Sequence, residues 1–361
     1  MSSPVDITQV LRRPGEGLLT VTTGSGQARR MMDPLVGKTS AAAWPRLARA
    51  RIKGKGPQIV ALPSDSGGGI CRGAAHGPLH LRAALYARHP SFAARDVGDL
   101  PCIPQLLEDS MLGASQLRAC GRALWGAAWK NSSPVSPLNL LKSLLEQGYR
   151  ENSKGFRPLV IGGDHSTSWS VSQALKQSGL FEGLAILHFD AHTDLLEARY
   201  GVKHCFATWA AHAALAMKPV ARKNFVQLGL RVSGRTKSHW EKKYGLRQVW
   251  AKELGGREPT DFARELVRQW RRRGCHRLYI SFDVDALDPR FVPSTGTPEA
   301  GGLDPAWCRE VIRVCSAEMT LVAADLVELA PVLGSIAQGR RSSFVAASIG
   351  HELLRGLSRG L

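Results

Sequence analysis

The chain contains no run of about 18 consecutive apolar residues, so no membrane-spanning helix is expected. Its opening, MSSPVDITQVLRRPGEG, lacks the apolar core of a secretory leader. Cysteine is sparse and scattered: seven residues, with no Cys-x-x-Cys pair and no close Cys/His cluster. That argues against a disulfide framework or a thiolate zinc site, and for reduced thiols in a cytoplasmic protein. Acidic charge is also short, with 30 Asp and Glu against 48 Lys and Arg, a formal net charge of +18. Such an excess suits nucleic acid, lipid headgroups or an anionic substrate. The basic segments RLARARIKGKG, RVSGRTKSHWEKKYGLR and RQWRRRGCHR lie far apart, however, and zinc-finger, RNP-type and basic-region patterns are missing. A solvated basic surface is the expectation, with neither nucleic acid nor membrane as a partner.

What is present is ample apolar material: 43% hydrophobic over 361 residues, enough for a large core. Residues 1–55, rich in Gly, Ser, Arg and Lys without sustained apolar periodicity, read as a basic extension that packs on the body or on a neighbouring subunit. Residues 56–361 read as one catalytic domain. Short apolar runs (QIVALP, PLVIGG, LAILHF, FVQLGL, RLYISF, TLVAADLV) alternate with helix-like stretches such as PLHLRAALYARH, SWSVSQALKQSG, PTDFARELVRQWRRRG and PAWCREVIRVCSAE. Thr260 or Asp261 and Asp304 are candidate helix caps. This alternation predicts an α/β fold: three layers, α/β/α, around a mainly parallel central sheet. Active sites of such sheets form at the carboxyl ends of the strands.

Three of those ends carry chemistry. PLVIGG runs into GGDHSTS, with His165 behind two glycines. LAILHF runs into Asp190, His192 and Asp194, and extended backbone puts alternate residues on one face. RLYISF runs into Asp283 and Asp285, with Asp288 at a turn, then the loop PSTGTPEAGGL. Buried carboxylates in this number are tolerable only beside cations. Two imidazoles with four carboxylates and no thiolate suit Mn²⁺ better than structural zinc, and six donors suit two ions that activate a water for hydrolysis.

GGDHS, DAHTD, SFDVDALDP with PSTGTPEAGGL, and DLVELAP together resemble the ureohydrolase family of arginase and agmatinase, nearer the agmatinase-like branch; RGAAHGPLHLRAAL is a weaker element. The resemblance runs from about residue 57 to 356. It implies an arginase-like fold, a homo-oligomer (trimer or hexamer) and two Mn²⁺ per subunit. His165, Asp190, Asp194 and Asp283 would hold one ion, and Asp190, His192, Asp283 and Asp285 the other, with Asp190 and Asp283 bridging. In the family a metal-bridging hydroxide attacks the guanidinium carbon, giving urea and an amine. Asp190, Asp283, His204 and Glu328 would then be catalytic, Glu328 gripping the guanidinium and His204 shuttling protons. This sequence departs from the family at Cys205 and Phe206, where a Gly follows the histidine, and in LLEARYGVK, which lacks the Asn and Ser of an α-carboxylate grip. Cys205 is expected to pack, and His188 either to pack or to support a ligand from behind. Arg199, Lys203, Arg231 and Arg235 are candidates to border the pocket, which would favour a substrate with an acidic tail. The expected function is hydrolysis of a guanidino C–N bond in a small substrate of agmatine or guanidino-acid type. The alternatives are a formiminoglutamase-type C–N hydrolase, separated by its product, and a non-enzymatic metal-binding or RNA-associated protein, separated by salt-dependent retention on nucleic acid.

Overall fold

All six apolar runs form strands, and two shorter strands join them at the edges. The computed structural model describes residues 5–19 and 22–359, the side chains of residues 22–25 apart; the remaining residues of the two stretches delimited above lie outside the described residues. The strands are β1 (Pro57–Leu62), β2 (Asp96–Asp99), β3 (Arg157–Gly162), β4 (Leu184–Phe189), β5 (Phe225–Leu230), β6 (Arg247–Trp250), β7 (Arg277–Asp283) and β8 (Thr320–Val327). They make one sheet in the order β2-β1-β3-β8-β7-β4-β5-β6, with every neighbour parallel. The sheet is therefore wholly parallel, as the alternation predicted in the main.

Period-two side-chain geometry divides the core into two layers. Ala185, Leu187 and Phe189 of β4 join one apolar cluster, while Leu184 and Ile186 join the other. The first cluster is covered by the helices Gly77–Arg88, Pro259–Arg272, Pro305–Glu318 and Ile336–Leu357. The second is covered by Trp44–Lys53, Pro137–Glu151, Thr167–Gln177, Trp209–Ala216 and Lys237–Tyr244. Because both faces are covered, the strands read as continuous apolar runs.

The N-terminal stretch holds the helices Thr22–Val36 and Trp44–Lys53. Trp44, Ala48 and Ile52 are fully buried, and the Trp44 indole donates to the Val97 carbonyl at 3.0 Å. A buried ion-pair knot ties this stretch to β2. Arg82 donates to Asp99 and, at 2.9 Å, to Asp96, and the Asp99 carboxylate accepts from the backbone of Gly15 and Gly17 at 2.8 and 3.0 Å. Gly17 has to be glycine, since a Cβ there would lie 2.4 Å from that of Asp99. Asp304 caps its helix by accepting from Ala306 and Trp307. Asp261 does not act as a cap: the N-cap position is Glu258, and Thr260 donates to Glu310 at 2.7 Å. Among the described residues no helix is long and apolar enough to cross a membrane.

Candidate metal centre

The four central strands β3, β8, β7 and β4 end side by side on one edge of the sheet, and the residues singled out above follow directly. The strand alternation that suggested their convergence ends one step too early. β4 stops at Phe189, Asp194 has φ +51°, and Asp283 caps a 3₁₀ turn Val284–Ala286. The ligand residues converge through turns held by their own carboxylates. Asp190 Oδ1 accepts from His192 N at 2.6 Å, Asp283 Oδ1 from Asp285 N at 2.8 Å, and Asp285 Oδ1 from Ala191 N at 3.0 Å.

His165 Nδ1 stands 3.1 Å from three carboxylate oxygens, Oδ2 of Asp190, of Asp194 and of Asp283. Both His165 Nδ1 and Asp194 Oδ2 are buried without a hydrogen-bond partner. Donors cis to one another, about 2.2 Å from an octahedral ion, stand about 3.1 Å apart, so this set has the spacing of a cation's first coordination sphere. A second set adjoins it: His192 Nδ1 lies 3.0 Å from Asp285 Oδ2 and 3.5 Å from Asp190 Oδ1. Asp190 thus offers one oxygen to each set. Asp283 joins the first set through Oδ2, and its Oδ1 accepts from Asp285 N as Asp190 Oδ1 does from His192 N. The donor sets fit two cations without any thiolate.

Electrostatics makes the same demand. Burial, then the charges of Asp285 and Asp190, push the Asp283 carboxyl well up, and burial with Asp190 raises Asp194. Burial opposes a charge on His192, yet Asp190 and Asp285 push its pKa up to about 12. Protons here fill the role that cations would take.

Beneath the ligands runs a row of buried polar residues in register across five strands: Gln248 (β6), Gln227 (β5), His188 (β4), Ser281 (β7) and Asp325 (β8). Gln248 donates to Gln227 at 2.9 Å, and Gln227 to His188 Nδ1 at 3.0 Å. His188 Nδ1 is therefore an acceptor, so its proton sits on Nε2 and goes to Asp190 Oδ2 at 2.7 Å. Although His188 lies within ligand distance of the first set, both its nitrogens are committed, and it orients Asp190 instead. From the other side Ser281, anchored on Asp325 at 2.8 Å, meets His165 Nε2 at 3.0 Å, which leaves Nδ1 to face the carboxylates. Sequence reading missed Ser281, Asp325, Gln227 and Gln248. For Gln227, Ser281 and Asp325 the signal was a polar residue inside an apolar run; Gln248, in the short edge strand RQVW, gave none.

Glu328 follows β8 at φ +65°, a conformation rare for a residue with a Cβ. Its Oε1 accepts from His165 N at 2.8 Å. Burial and the Asp164 charge push its pKa well up, so its anion calls for a cationic guest. Gly296 lies alongside, with a hypothetical Cβ 4.0 Å from Glu328 Oε2. His204 is not among the donors: no described hydrogen bond, ion pair or ring contact joins it to the six residues. It bonds to Glu108 and stacks on Trp169.

A cleft of about 750 Å³ opens beside the centre, lined by Gly67–Gly69, Arg72, Leu107, Arg199, Tyr200, Cys205 and Phe206 among others. None of the six donor residues lines it. Its link to them is Gly67, whose N–H donates to Asp164 beside His165 at 2.9 Å. Of the four cations expected to border a pocket, Arg199 does so, with its guanidinium 5.0 Å from the Phe206 ring centre. Arg231 does not: it is spent on the carbonyls of Gly229, Ala286 and Glu299. Lys203 and Arg235 are not in the lining, whereas Arg72, unforeseen, is. Cys205 is buried with its thiol pKa pushed up, as befits a packing residue.

Residues 56–355 match the family model described as Arginase family. The chain is 33% identical over 225 residues to a guanidinobutyrase of Pseudomonas aeruginosa, covering 61% of this chain and 67% of that one. It is 35% identical over 185 residues to a mitochondrial guanidino acid hydrolase of Homo sapiens, covering 49% of each. The aligned stretches thus span about half to two thirds of those relatives. Among solved structures, proclavaminate amidinohydrolase from Streptomyces clavuligerus superposes with a TM-score of 0.64 at 26% identity, over 85% of this chain and 93% of that one.

Proposed function

This chain belongs to the arginase family, and from that premise we propose that it is a dimanganese amidinohydrolase that cleaves a small guanidino acid to urea and an amine. The observation that carries the proposal is the ring of three carboxylate oxygens around an unpartnered imidazole nitrogen, each 3.1 Å away. His165, Asp190, Asp194 and Asp283 would hold one ion, and Asp190, His192 and Asp285, with Asp283, the other. Two such ions would supply Lewis-acid charge and a water acidic enough to ionise at neutral pH.

The protein's own groups do the rest. Glu328 presents a forked acceptor to a planar guanidinium, which supplies the counter-charge this buried carboxylate needs. Fixed by His165 N, one Glu328 oxygen keeps its place while the other lies on the side of Gly296. His204 moves a proton to the departing amine. Arg72 and Arg199, at the wall of a cleft beside a cation-binding Glu328, oppose a substrate cationic at both ends and favour an anionic tail. Two relatives bear the names guanidinobutyrase and guanidino acid hydrolase, which agree with this choice.

The test is urea release by the Mn²⁺-loaded protein across guanidinoacetate, guanidinopropionate, guanidinobutyrate, arginine, agmatine and guanidine. Turnover of a guanidino acid with agmatine silent is the expected result. Formamide from formiminoglutamate, with no urea from any guanidino compound, would replace the proposal by the formimino reaction.

A further inference from the structure

Glu108 lies in the loop between β2 and the helix Ala114–Trp125, where nothing in the local sequence LPCIPQLLEDSM marks it as functional. It is 6% exposed, and its Oε2 meets His204 Nδ1. The pair is held from every side. Asp109, the next residue, accepts from Ser136 N at 2.8 Å, and Leu107 O accepts from Leu138 N, which fixes the loop on the start of the helix Pro137–Glu151. Trp169 stacks on the His204 ring at 4.1 Å between centroids and 24° between planes. His212 meets the ring edge-on at 4.9 Å, and its own Nε2 is spent on the carbonyls of Glu197 and Lys203 at 3.0 Å each.

An ionised carboxylate only accepts, so His204 Nδ1 carries the proton and Nε2 is left as the basic nitrogen. Nε2 has no hydrogen-bond partner among the described residues. The flanking residues of both partners, Leu107 on one side and Cys205 and Phe206 on the other, line the cleft. Burial opposes a charge on Glu108, yet the bond to His204 and its charge hold the Glu108 pKa below the ordinary value.

We propose that Glu108 is a positioning residue for the reaction: it fixes the His204 tautomer, turns Nε2 towards the cleft and stabilises the imidazolium before proton transfer. The inference rests on the amidinohydrolase reading above. As the guanidino C–N bond breaks, its electron pair goes to the departing nitrogen, which takes the Nε2 proton; Glu108 stays ionised throughout, and His204 regains a proton from the water consumed. The charged or titratable groups around the pair are Glu108 itself, Asp109, Lys203, His212 and Glu197.

Two measurements test it. In metal-free protein labelled with ¹⁵N-histidine, the His204 resonances, identified by their loss in His204→Asn, should show the Nδ1–H form, and Glu108→Ala should shift them towards the Nε2–H form. In the Mn²⁺-loaded enzyme, Glu108→Gln should lower kcat about ten- to a hundredfold with KM little changed. It should also move the alkaline limb of the kcat/KM profile to lower pH, because the imidazolium that donates the proton loses its counter-charge. Glu108→Asp should recover part of both. A merely structural Glu108 would instead lower the melting temperature and raise KM through the Leu107–Leu112 wall of the cleft, leaving the limb in place. An Nε2–H tautomer in the unmodified protein, or undiminished kcat in folded Glu108→Gln, overturns the positioning role. Absence of urea from the unmodified enzyme overturns the amidinohydrolase reading and this inference with it, so the two failures are told apart.

Discussion

Asp190 is the one carboxylate whose two oxygens face both donor sets, Oδ2 towards His165 and Oδ1 towards His192. Asp190→Ala should therefore empty both sites, whereas Asp194→Ala should weaken only the first and His192→Ala only the second. Metal content per chain should fall from two to none in the first variant and to one in each of the others. The stability change can be worked out. An ion at a hundred times its dissociation constant stabilises the fold by about 2.7 kcal/mol. At about 2.1 cal/mol/K per residue the unfolding entropy of 361 residues is about 0.76 kcal/mol/K, so each ion should raise the melting temperature by about 3.6 °C and two by about 7 °C. Asp190→Ala should show no rise with Mn²⁺, and the single-set variants about half. The metal-free baseline should shift less than a buried truncation usually implies. His188 Nε2 and His192 N lose their acceptor, at about 1–3 kcal/mol each, but Asp283 loses one of the charges pressing on it. The assay is calorimetry of the four proteins with and without Mn²⁺, alongside elemental analysis of the dialysed samples. Two retained metals or an undiminished Mn²⁺ shift in Asp190→Ala would refute the shared-carboxylate geometry.

Glu328→Gln keeps the hydrogen bond from His165 N but removes the anion, so kcat/KM for a guanidino acid should fall about ten- to a hundredfold while metal content stays at two, the loss expected when a charged hydrogen bond worth about 1.5–3 kcal/mol is removed; unchanged kinetics would take Glu328 out of the site. Arg199→Ala should raise KM for a guanidino acid no more than about fivefold, an exposed ion pair being worth about 0.2–1 kcal/mol, and should leave KM for guanidine, which has no tail, alone. A pH test follows from Asp164, which burial pushes up to about 6 from the ordinary 3.8. A carboxyl with a raised folded pKa stabilises fully below its unfolded pKa, and that stability is lost as pH rises through about 6. The loss is about 3 kcal/mol at 1.36 kcal/mol per pK unit. Urea denaturation of the metal-free protein between pH 4 and 7 should show a decline that is flatter in Asp164→Asn; equal slopes in the two proteins would refute the assignment.

Legibility in the sequence followed burial and local order. The six central or near-central strands were readable because both faces are covered and their residues are mainly apolar. β2 (DVGD) was not, since its two aspartates are buried only by Arg82, Tyr86 and the N-terminal backbone, partners brought from elsewhere in the chain. β6 (RQVW) is an edge strand, half exposed at both ends, with too few apolar residues to register. The two N-terminal helices were hidden by basic side chains that face outward, Arg29 and Arg30 in the first and Arg46, Arg49 and Lys53 in the second, while Trp44, Ala48 and Ile52 pack inward. The six donor residues were visible as motifs, because a metal-binding strand end must concentrate His and Asp within a few residues. The partners of His204 were invisible, since Glu108 stands 96 residues away and no spacing rule joins them.

The polar row beneath the centre shows what sequence alone withholds even when every residue is in view. A glutamine in FVQLGL, a serine in LYISFD or an aspartate in LVAADLV, taken singly, is a costly residue in a buried strand. Parallel pairing brings all five members into one line, and there they satisfy one another in two groups: Gln248 to Gln227 and Gln227 to His188 on one side, Ser281 to Asp325 on the other. The row ends in two hydrogen bonds that decide the chemistry above it. One sets the His188 proton on the side of Asp190, and the other turns His165 so that its free nitrogen faces three carboxylates. Each buried polar group is tolerable only because its register partners exist, and the ligand geometry depends on the whole row. Register, a property of the folded sheet rather than of any segment, is the step by which a string of strands becomes a site able to hold metal.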